Sequence, residues 1–335
     1  MQLKRAVAFV LILLGLSFCK RKTPLPLTEK LEELPLEKAF SLNSEQVSLT
    51  SISSVLWIEE KGLFFFENKT GTLYFVDHAG QVKKVDKRGQ GPGEYTAISD
   101  MYWRKGKLYL LDAANKIILL DEDLNFTKEI KTPGRFYHLL GVREGTYYLT
   151  ELFFTEQDTS YLGVYKWKEG EKKPLKLFDL KNVTFKVKQP YGEAVIIAAR
   201  GSVALTEKGF VANSSHEYEI TFYDLKGKSL RRLQFPGFKP SFGPPEPLVN
   251  FFNKHAKPFA IKKISKDDSK IAVFTNLWKG KNRRIDFFTE KGKYIASYLL
   301  PEESSPIRDY IWISNSHLIV FDEKEGTLNV FRYKI

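Results

Sequence analysis

Short runs in which apolar and polar residues alternate fill most of the chain, and glycine, asparagine and aspartate separate them. One unit of such runs covers residues 52–85, and a similar unit covers residues 98–130, in which Trp103 corresponds to Trp57. Alternation with a period of two predicts strands, and the turn-forming residues between the runs predict antiparallel hairpins. Each unit therefore predicts four strands, an inner one that ends near the tryptophan and three that follow it.

The same pattern recurs four more times downstream. Hairpins equivalent to the third and fourth strands fall at residues 163–177, 219–233 and 284–298, and a last copy at 327–335 stops after its third strand. Equivalents of the inner strand precede them at 138–143, 202–207, 259–266 and 310–314. Six repeats of four short strands predict an all-β fold, a six-bladed β-propeller of four-stranded antiparallel blades.

The last repeat lacks its outermost strand, and an open ring would leave unpaired strand edges. Residues 37–43 (EKAFSLN) lie upstream of the first repeat and have no other predicted partner. We expect this N-terminal strand to complete the sixth blade and close the ring.

The N-terminus has the pattern of a targeting segment. Lys4 and Arg5 precede an apolar run over residues 6–18, which is too short for a typical transmembrane helix and ends at Cys19, the sole cysteine. The sequence LSFC at 16–19 resembles a bacterial lipobox, although Phe18 is larger than the residue usually found before the cysteine. An ordinary secretory signal with an incidental cysteine is the alternative.

A lipobox implies a signal peptide over 1–18, a lipidated Cys19, a tether over 19–36 and a propeller over 37–335. Diacylglycerol on Cys19, with a further acyl chain on the new amino terminus, would supply enough hydrocarbon for stable membrane attachment. The expected location is the bacterial cell envelope, lipid-anchored on its periplasmic or surface side.

A glycine-rich stretch, KRGQGPGEY at residues 87–95, follows the first repeat. It resembles the Gly-x-Gly-Pro-Gly-Glu-aromatic segment of bacterial six-bladed β-propeller lipoproteins related to the NHL and TolB-like propellers, and the matching residues are Gly89, Gly91, Pro92, Gly93, Glu94 and Tyr95. The resemblance implies a secreted or membrane-tethered propeller and no defined activity. We interpret the stretch as a connector between blades in which Glu94 caps local amides; direct contact with a ligand is the alternative.

The chain is basic, with 52 Lys and Arg against 40 Asp and Glu and a formal net charge of +12. Loss of residues 1–18 removes Lys4 and Arg5 and no acid, so the charge falls by two to +10. Anionic lipid headgroups, glycans and acidic envelope proteins are the partners that such a charge favours, and nucleic acid is not expected outside the cytoplasm. A generally lysine-rich composition without a functional role is the alternative.

In a propeller, the connections from fourth to first strands and from second to third strands share one face around the channel mouth. On these connections we expect a ligand site for an anion or a glycan, formed by Arg88, Glu94, Tyr95, Arg135, His138, Arg200, His216 and Arg308. The alternative is that these are solvated loop charges.

Signatures of chemistry are few. No histidine pair has the short spacing of a metal site, so neither a metal nor another cofactor is expected, although a pair from different blades, His138 with His216, stays open. No Gly-x-Ser-x-Gly motif is present. We expect Trp57, Trp103 and Trp312 to fill the wedges between blades rather than to form a cofactor site.

These observations predict a non-catalytic, membrane-tethered propeller that binds a ligand or an envelope protein. One alternative is a lyase or hydrolase that acts at the mouth of the axial channel. Another is a scaffold that uses its blade edges and the proline-rich insert at 236–257 to assemble an envelope complex.

Overall fold

The computed structural model describes residues 31–85, 87–155, 159–189, 192–199, 201–213, 218–235, 261–267, 269–279, 282–301 and 311–335. Every regular element within these residues is a β-strand, and the strands are numbered β1 to β26 in chain order. No helix in the described part of the chain is both long and apolar enough to cross a bilayer.

Twenty-four of the strands form six antiparallel sheets of four, as the repeats predict. Blade 1 consists of β2 (Ile52–Ile58), β3 (Gly62–Glu67), β4 (Thr72–Val76) and β5 (Val82–Val85). Blade 2 consists of β6 (Ile98–Arg104), β7 (Lys107–Asp112), β8 (Lys116–Leu120) and β9 (Phe126–Lys131). Blade 3 consists of β10 (His138–Arg143), β11 (Thr146–Phe154), β12 (Ser160–Lys168) and β13 (Leu175–Lys181).

The other three blades complete the ring. Blade 4 consists of β16 (Ser202–Thr206), β17 (Gly209–Asn213), β18 (Glu219–Asp224) and β19 (Ser229–Gln234). Blade 5 consists of β20 (Ile261–Asp267), β21 (Lys270–Lys279), β22 (Asn282–Thr289) and β23 (Tyr294–Leu300). Blade 6 consists of β24 (Ile311–Ser314), β25 (His317–Asp322), β26 (Thr327–Tyr333) and β1 (Leu36–Asn43).

The prediction that an N-terminal strand closes the ring is confirmed. β1 pairs antiparallel with β26 from Leu36 opposite Tyr333 to Asn43 opposite Thr327. The chain before β1 continues onto the neighbouring blade, where Leu34 N donates to Leu299 O at 2.8 Å and Leu299 N donates to Glu32 O at 2.9 Å. Residues 32–36, which the sequence analysis placed in the tether, are therefore paired with blades 5 and 6.

One element was not anticipated. β14 (Val183–Gln189) and β15 (Gly192–Ala199) form a separate two-stranded sheet between blades 3 and 4. The repeat pattern contains no equivalent of this hairpin, which explains why comparison of the repeats did not detect it. The proline-rich insert at 236–257 lies outside the described residues.

The three tryptophans lie in the wedges between blades, as predicted. Trp57 is buried in the cluster between blades 6 and 1, and Trp312 packs against the same cluster. Trp103 packs against the cluster between blades 1 and 2. These large rings fill the space that opens between neighbouring sheets.

Buried acids fix the start of the first two inner strands. Glu67 ends β3 with no exposed surface, and its carboxylate accepts hydrogen bonds from Thr50 Oγ1 at 2.6 Å and Thr70 N at 2.7 Å. Asp112 ends β7 in the same way and accepts from Thr96 Oγ1 at 2.7 Å and from Ala97 N at 3.1 Å. Each acid, at the end of the second strand of its blade, holds the loop that precedes the first strand. This contact orients the first strand, which lines the axis.

A buried polar network joins blades 4 and 5. Arg284 Nε lies 2.7 Å from Asp286 Oδ1, and the hydroxyls of Tyr218 and Ser297 both donate to the Asp286 carboxylate. Burial, followed by the charge of Asp286, holds the pKa of Tyr218 well above its usual range. Because the groups of this network are buried away from the channel, we interpret it as structural.

Candidate functional site

A cavity of about 740 Å³ lies on the axis of the ring. The six inner strands β2, β6, β10, β16, β20 and β24 all contribute to its wall. This volume falls within the range of about 300–1,000 Å³ that is typical of small-molecule sites. The axial channel is therefore large enough to hold a ligand.

Three polar contacts join the inner strands of the first four blades. Ser53 Oγ donates to Ile98 O at 3.2 Å, which connects β2 to β6. Leu139 N donates to Asp100 Oδ2 at 3.0 Å, which connects β10 to β6. Arg143 of β10 donates to Glu207 O at 2.6 Å and also to Thr206 O at the end of β16.

Three further contacts complete the circle. Ile264 N donates to Ser202 Oγ at 2.8 Å, and Lys263 Nζ donates to Ile311 O at 3.0 Å. Ser314 Oγ donates to Trp57 O at 3.2 Å, across the seam where the two ends of the chain meet. All six seams thus have a polar contact beside the cavity, so the wall is built from fixed donors and acceptors as well as apolar side chains.

The end of the channel where the inner strands begin holds an aspartate–histidine pair. Asp100 Oδ2 lies 3.2 Å from His138 Nδ1, and Asp100 Oδ1 accepts from Met101 N at 2.9 Å. The His138 side chain is 44% exposed, and Tyr137 packs edge-on against its ring at 4.4 Å. The carboxylate therefore orients an imidazole that solvent in the channel can reach.

Cations dominate the charge of the channel wall. Its lining includes the five cations Arg104, Lys105, Arg143, Lys263 and Lys266, against the two acids Glu60 and Asp100. Within the described residues, the side chains of Arg104 and Lys105 form no hydrogen bond or ion pair. Low-dielectric walls of one charge sign concentrate the field inside a cleft, so this channel favours an anion.

The glycine-rich stretch forms a closed connector and does not line the channel. Gly91 N donates to Glu94 Oε2 at 2.7 Å, and Tyr95 N donates to Lys87 O at 2.9 Å. A Cβ at Gly89 would lie 2.0 Å from Glu94 Oε2, so a side chain there would displace the Glu94 carboxylate from its present position. Glu94 thus braces local amides, as the first interpretation expected.

Tyr95 is a core residue. Its side chain has no exposed surface, and its hydroxyl donates to Val85 O at 2.5 Å while accepting from Leu73 N at 3.2 Å. The expectation that Tyr95 lies at the channel mouth is therefore wrong, because the sheet edges of blades 1 and 2 enclose the ring.

The structure brings His138, of the predicted ligand residues, to the channel. Arg88 and Arg135 are exposed, and neither they nor Glu94 belong to the cavity lining. Arg88 Nη1 instead donates to Thr70 O at 3.1 Å. Ligand binding by these residues stays a prediction, and four predicted site residues lie outside the described part of the chain: Cys19, Arg200, His216 and Arg308.

Most of the residues that line the channel were not predicted as site residues, because site residues were expected on loops. Asp100, Arg143 and Lys263 lie on inner strands whose positions the repeats had already predicted. Charged residues inside a strand that faces the axis were the available signal. Among the described residues, no group of three or more His, Cys, Asp and Glu side chains has a geometry that suits a metal ion.

Comparisons with known proteins agree with the propeller. Residues 40–304 match the family DUF5128, described as a 6-bladed beta-propeller. No curated protein matches the chain.

Several solved structures are similar in fold. Virginiamycin B lyase from Staphylococcus aureus is 12% identical, with 90% of this chain and 100% of that chain covered and a TM-score of 0.49. A catalytically inactive form of the same lyase with quinupristin is 11% identical over the same shares, with a TM-score of 0.50. BamB from Moraxella catarrhalis is 10% identical over 89% of this chain and 100% of that chain, with a TM-score of 0.41.

At such identities the likeness concerns the fold alone. The family match is of a different kind, because it extends from the closing strand β1 through blade 5. Together with the six four-stranded sheets and the clasp of β1 on β26, it establishes that this chain belongs to the DUF5128 family of six-bladed β-propellers.

Proposed function

We propose that this protein is a lipid-anchored, non-catalytic binding protein of the bacterial cell envelope, and that its axial channel takes an anionic small molecule or glycan. The observation that carries the ligand class is the cavity of about 740 Å³ with five cations and two acids in its wall. The observation that carries the anchor is the apolar run over 6–18 that ends at Cys19.

The channel cations differ in how firmly the protein holds them. Arg143 and Lys263 donate to backbone carbonyls of the neighbouring blade, and Lys266 Nζ pairs with Glu290 Oε1 at 3.1 Å. Arg104 and Lys105 have no such partner among the described residues. They are therefore the cations that a ligand would engage at the smallest cost in existing interactions.

Calorimetric titration with inorganic phosphate and with a uronic-acid disaccharide tests the ligand class. Arg104→Ala should weaken the affinity about tenfold, the loss expected for one charge-assisted contact. Lys208→Ala is the matched control, because Lys208 is an exposed cation in a first-to-second strand turn and does not line the cavity. Equal effects of the two substitutions, or no binding of either probe, would contradict an anion-binding channel.

The anchor is tested separately. Mass spectrometry of the protein extracted from membranes should show acyl chains on Cys19 as the first residue, and Cys19→Ala should abolish this modification. An unmodified N-terminus that begins at another residue would show that the leader is an ordinary secretory signal.

The Asp100–His138 pair favours a second function, a lyase or hydrolase at the same site. With a proton on Nδ1 donated to Asp100, Nε2 carries a lone pair and can accept a proton from a substrate or water in the channel. Activity on an acidic polysaccharide, followed by absorbance of unsaturated products for a lyase and by new reducing ends for a hydrolase, should then disappear in His138→Gln while phosphate still binds. Binding without turnover in the unaltered protein would favour the non-catalytic function.

A further inference from the structure

Two apolar side chains protrude from the outer wall of blades 4 and 5. Leu230 of β19 is 62% exposed, and Ile295 of β23 is 37% exposed. The pairing of β18 with β19 and of β22 with β23 shifts at these positions, so that both residues lie at bulges. A bulge leaves its extra residue unpaired and bends the strand, which accounts for the outward position of both side chains.

Exposed cations lie close in sequence to these two side chains. They belong to the turns and outer strands of blades 4 and 5, and they are Lys226, Lys228, Arg231, Arg232, Lys291 and Lys293. Arg231 Nη1 donates to Lys291 O at 3.1 Å, which couples the outer strand of blade 4 to the turn of blade 5. We call the six cations together with Leu230 and Ile295 the blade 4–5 wall.

Glycine at position 292 brings the two blades together at this wall. Gly292 has a φ of 76°, and a Cβ there would lie 2.7 Å from the ring of Phe222 in blade 4. The turn of blade 5 therefore rests directly on blade 4, and its lysines share one surface with β19.

The acids of the same segments have partners within blades 4 and 5. Asp224 caps its own turn by accepting from Lys226 N at 2.8 Å, and Glu290 pairs with Lys266 on the channel side. Glu219 pairs with Arg232 Nε at 3.2 Å and accepts from Gln234 at 2.7 Å. Of the six wall cations, Arg232 is paired with one of these acids, and the other five give the wall a positive outward charge.

From this arrangement we infer that the blade 4–5 wall lies against an anionic lipid surface. Basic residues around protruding apolar side chains are the composition of surfaces that bind at the membrane interface. The path of the N-terminal chain supports lipid as the occupant, because Glu32 and Leu34 pair with Leu299 on β23, the strand that carries Ile295.

Twelve residues lie between Cys19 and Glu32, and the thirteen steps from one Cα to the other span at most about 45 Å when fully extended. This part of the inference rests on the proposed anchor at Cys19. An anchor at that distance would keep the side of blades 5 and 6 near the bilayer, with the adjoining blade 4–5 wall within reach of the headgroups.

Vesicle binding of the chain that starts at Lys20 tests the wall without the anchor. This chain retains every strand of the closed ring and the contacts of Glu32 and Leu34. We expect it to bind phosphatidylcholine vesicles when they contain phosphatidylglycerol and not when they lack it. No binding to either vesicle would overturn the inference, whatever the acylation state of Cys19.

Two double substitutions locate the binding surface. Lys291→Glu with Lys293→Glu, and Leu230→Ser with Ile295→Ser, should each lower the partition coefficient about tenfold. Matched controls on other blades are Lys83→Glu with Lys84→Glu in β5, and Leu175→Ser in β13, where Leu175 is 56% exposed. Losses in the controls equal to those at the wall would show general charge attraction and would overturn the inference.

A spin label gives an independent readout of contact. The chain from Lys20 has no cysteine, so Leu230→Cys carries a unique nitroxide, and Lys84→Cys is the control. On anionic vesicles the label at 230 should lose accessibility to a water-soluble nickel reagent, while the label at 84 should not. Equal accessibility at both positions would contradict insertion of this wall and would leave the acylation result for Cys19 unaffected.

Discussion

The ring has two kinds of seam between blades. Blades 1 and 2 are joined by a continuous connector at 87–95, which is braced by its own hydrogen bonds and by the buried Tyr95. Blades 6 and 1 meet where the two ends of the chain meet, and there β1 supplies the missing outer strand. The first seam is local in sequence, whereas the second depends on contacts between residues almost 300 positions apart.

This difference shows how a repeat protein can spread its stability unevenly. The other pairings within blades join strands that are close in sequence, whereas blade 6 is held together by the pairing of β1 with β26, so the ring should open first at that pairing. Loop-closure entropy opposes the long-range pairing of β1 with β26 much more than it opposes folding of the connector.

The largest effect is expected from removal of the closing strand. Deletion of residues 31–43 would expose the outer edge of β26 and the apolar cluster that contains Leu42. We expect loss of cooperative folding, measured by the near-ultraviolet circular dichroism and the thermal transition. An unchanged melting temperature would show that β1 does not carry the closure.

A milder substitution keeps this test informative if the deleted chain does not fold. Leu42 is 1% exposed, and Leu42→Ala should cost about 2–5 kcal/mol of unfolding free energy. Leu175→Ala, at an exposed position in β13, should cost less than about 0.5 kcal/mol in the same urea titration.

A smaller effect is expected at the continuous seam. Tyr95→Phe removes the hydroxyl that bonds to Val85 O and Leu73 N, both of which are buried with it. Loss of these bonds should cost about 1–3 kcal/mol in a urea titration. A loss as large as that from Leu42→Ala would remove the distinction between the two seams.

The smallest effect at neutral pH is expected at the buried cap before β2, and this effect should depend on pH. Burial raises the pKa of Glu67, but hydrogen bonds from Thr50, Thr70 and Lys69 N outweigh burial and hold the pKa below the ordinary value of 4.5. Ionised Glu67 therefore stabilises the fold fully above pH 4.5, and this contribution is lost as the pH falls through the folded pKa.

Glu67→Gln tests this dependence because it removes the charge and keeps the shape. We expect it to cost about 1–2 kcal/mol at pH 7 and progressively less in acid. Urea titrations of both proteins across this range give the difference in unfolding free energy. A difference that grows as the pH falls would contradict a lowered pKa.

The sequence predicted the propeller well because the repeats report local physics. Alternation and turn residues located the four strands around Trp57 and Trp103, and the missing fourth strand at the C-terminus pointed to residues 37–43. The extra hairpin β14–β15 has no counterpart in the repeats, so comparison between units did not detect it.

The site was harder to predict because it depends on how the blades are arranged around the axis. His138 was identified, but Asp100 is 38 positions away and reaches it across a blade seam. Tyr95 was placed at the mouth from its neighbours in sequence, whereas the packing of blades 1 and 2 buries it. Loop chemistry alone did not distinguish an exposed aromatic from a buried one.

The contacts that Glu32 and Leu34 make with Leu299 have a mechanical consequence. Any pull on the chain before Glu32 is borne first by this short attachment to blade 5, and the load passes to β1 only after the attachment has peeled away. β1 then bears the load through its pairing with β26 from Leu36 to Asn43. The attachment to blade 5 thus protects β1, the strand that keeps the ring closed, from a force on the N-terminal chain.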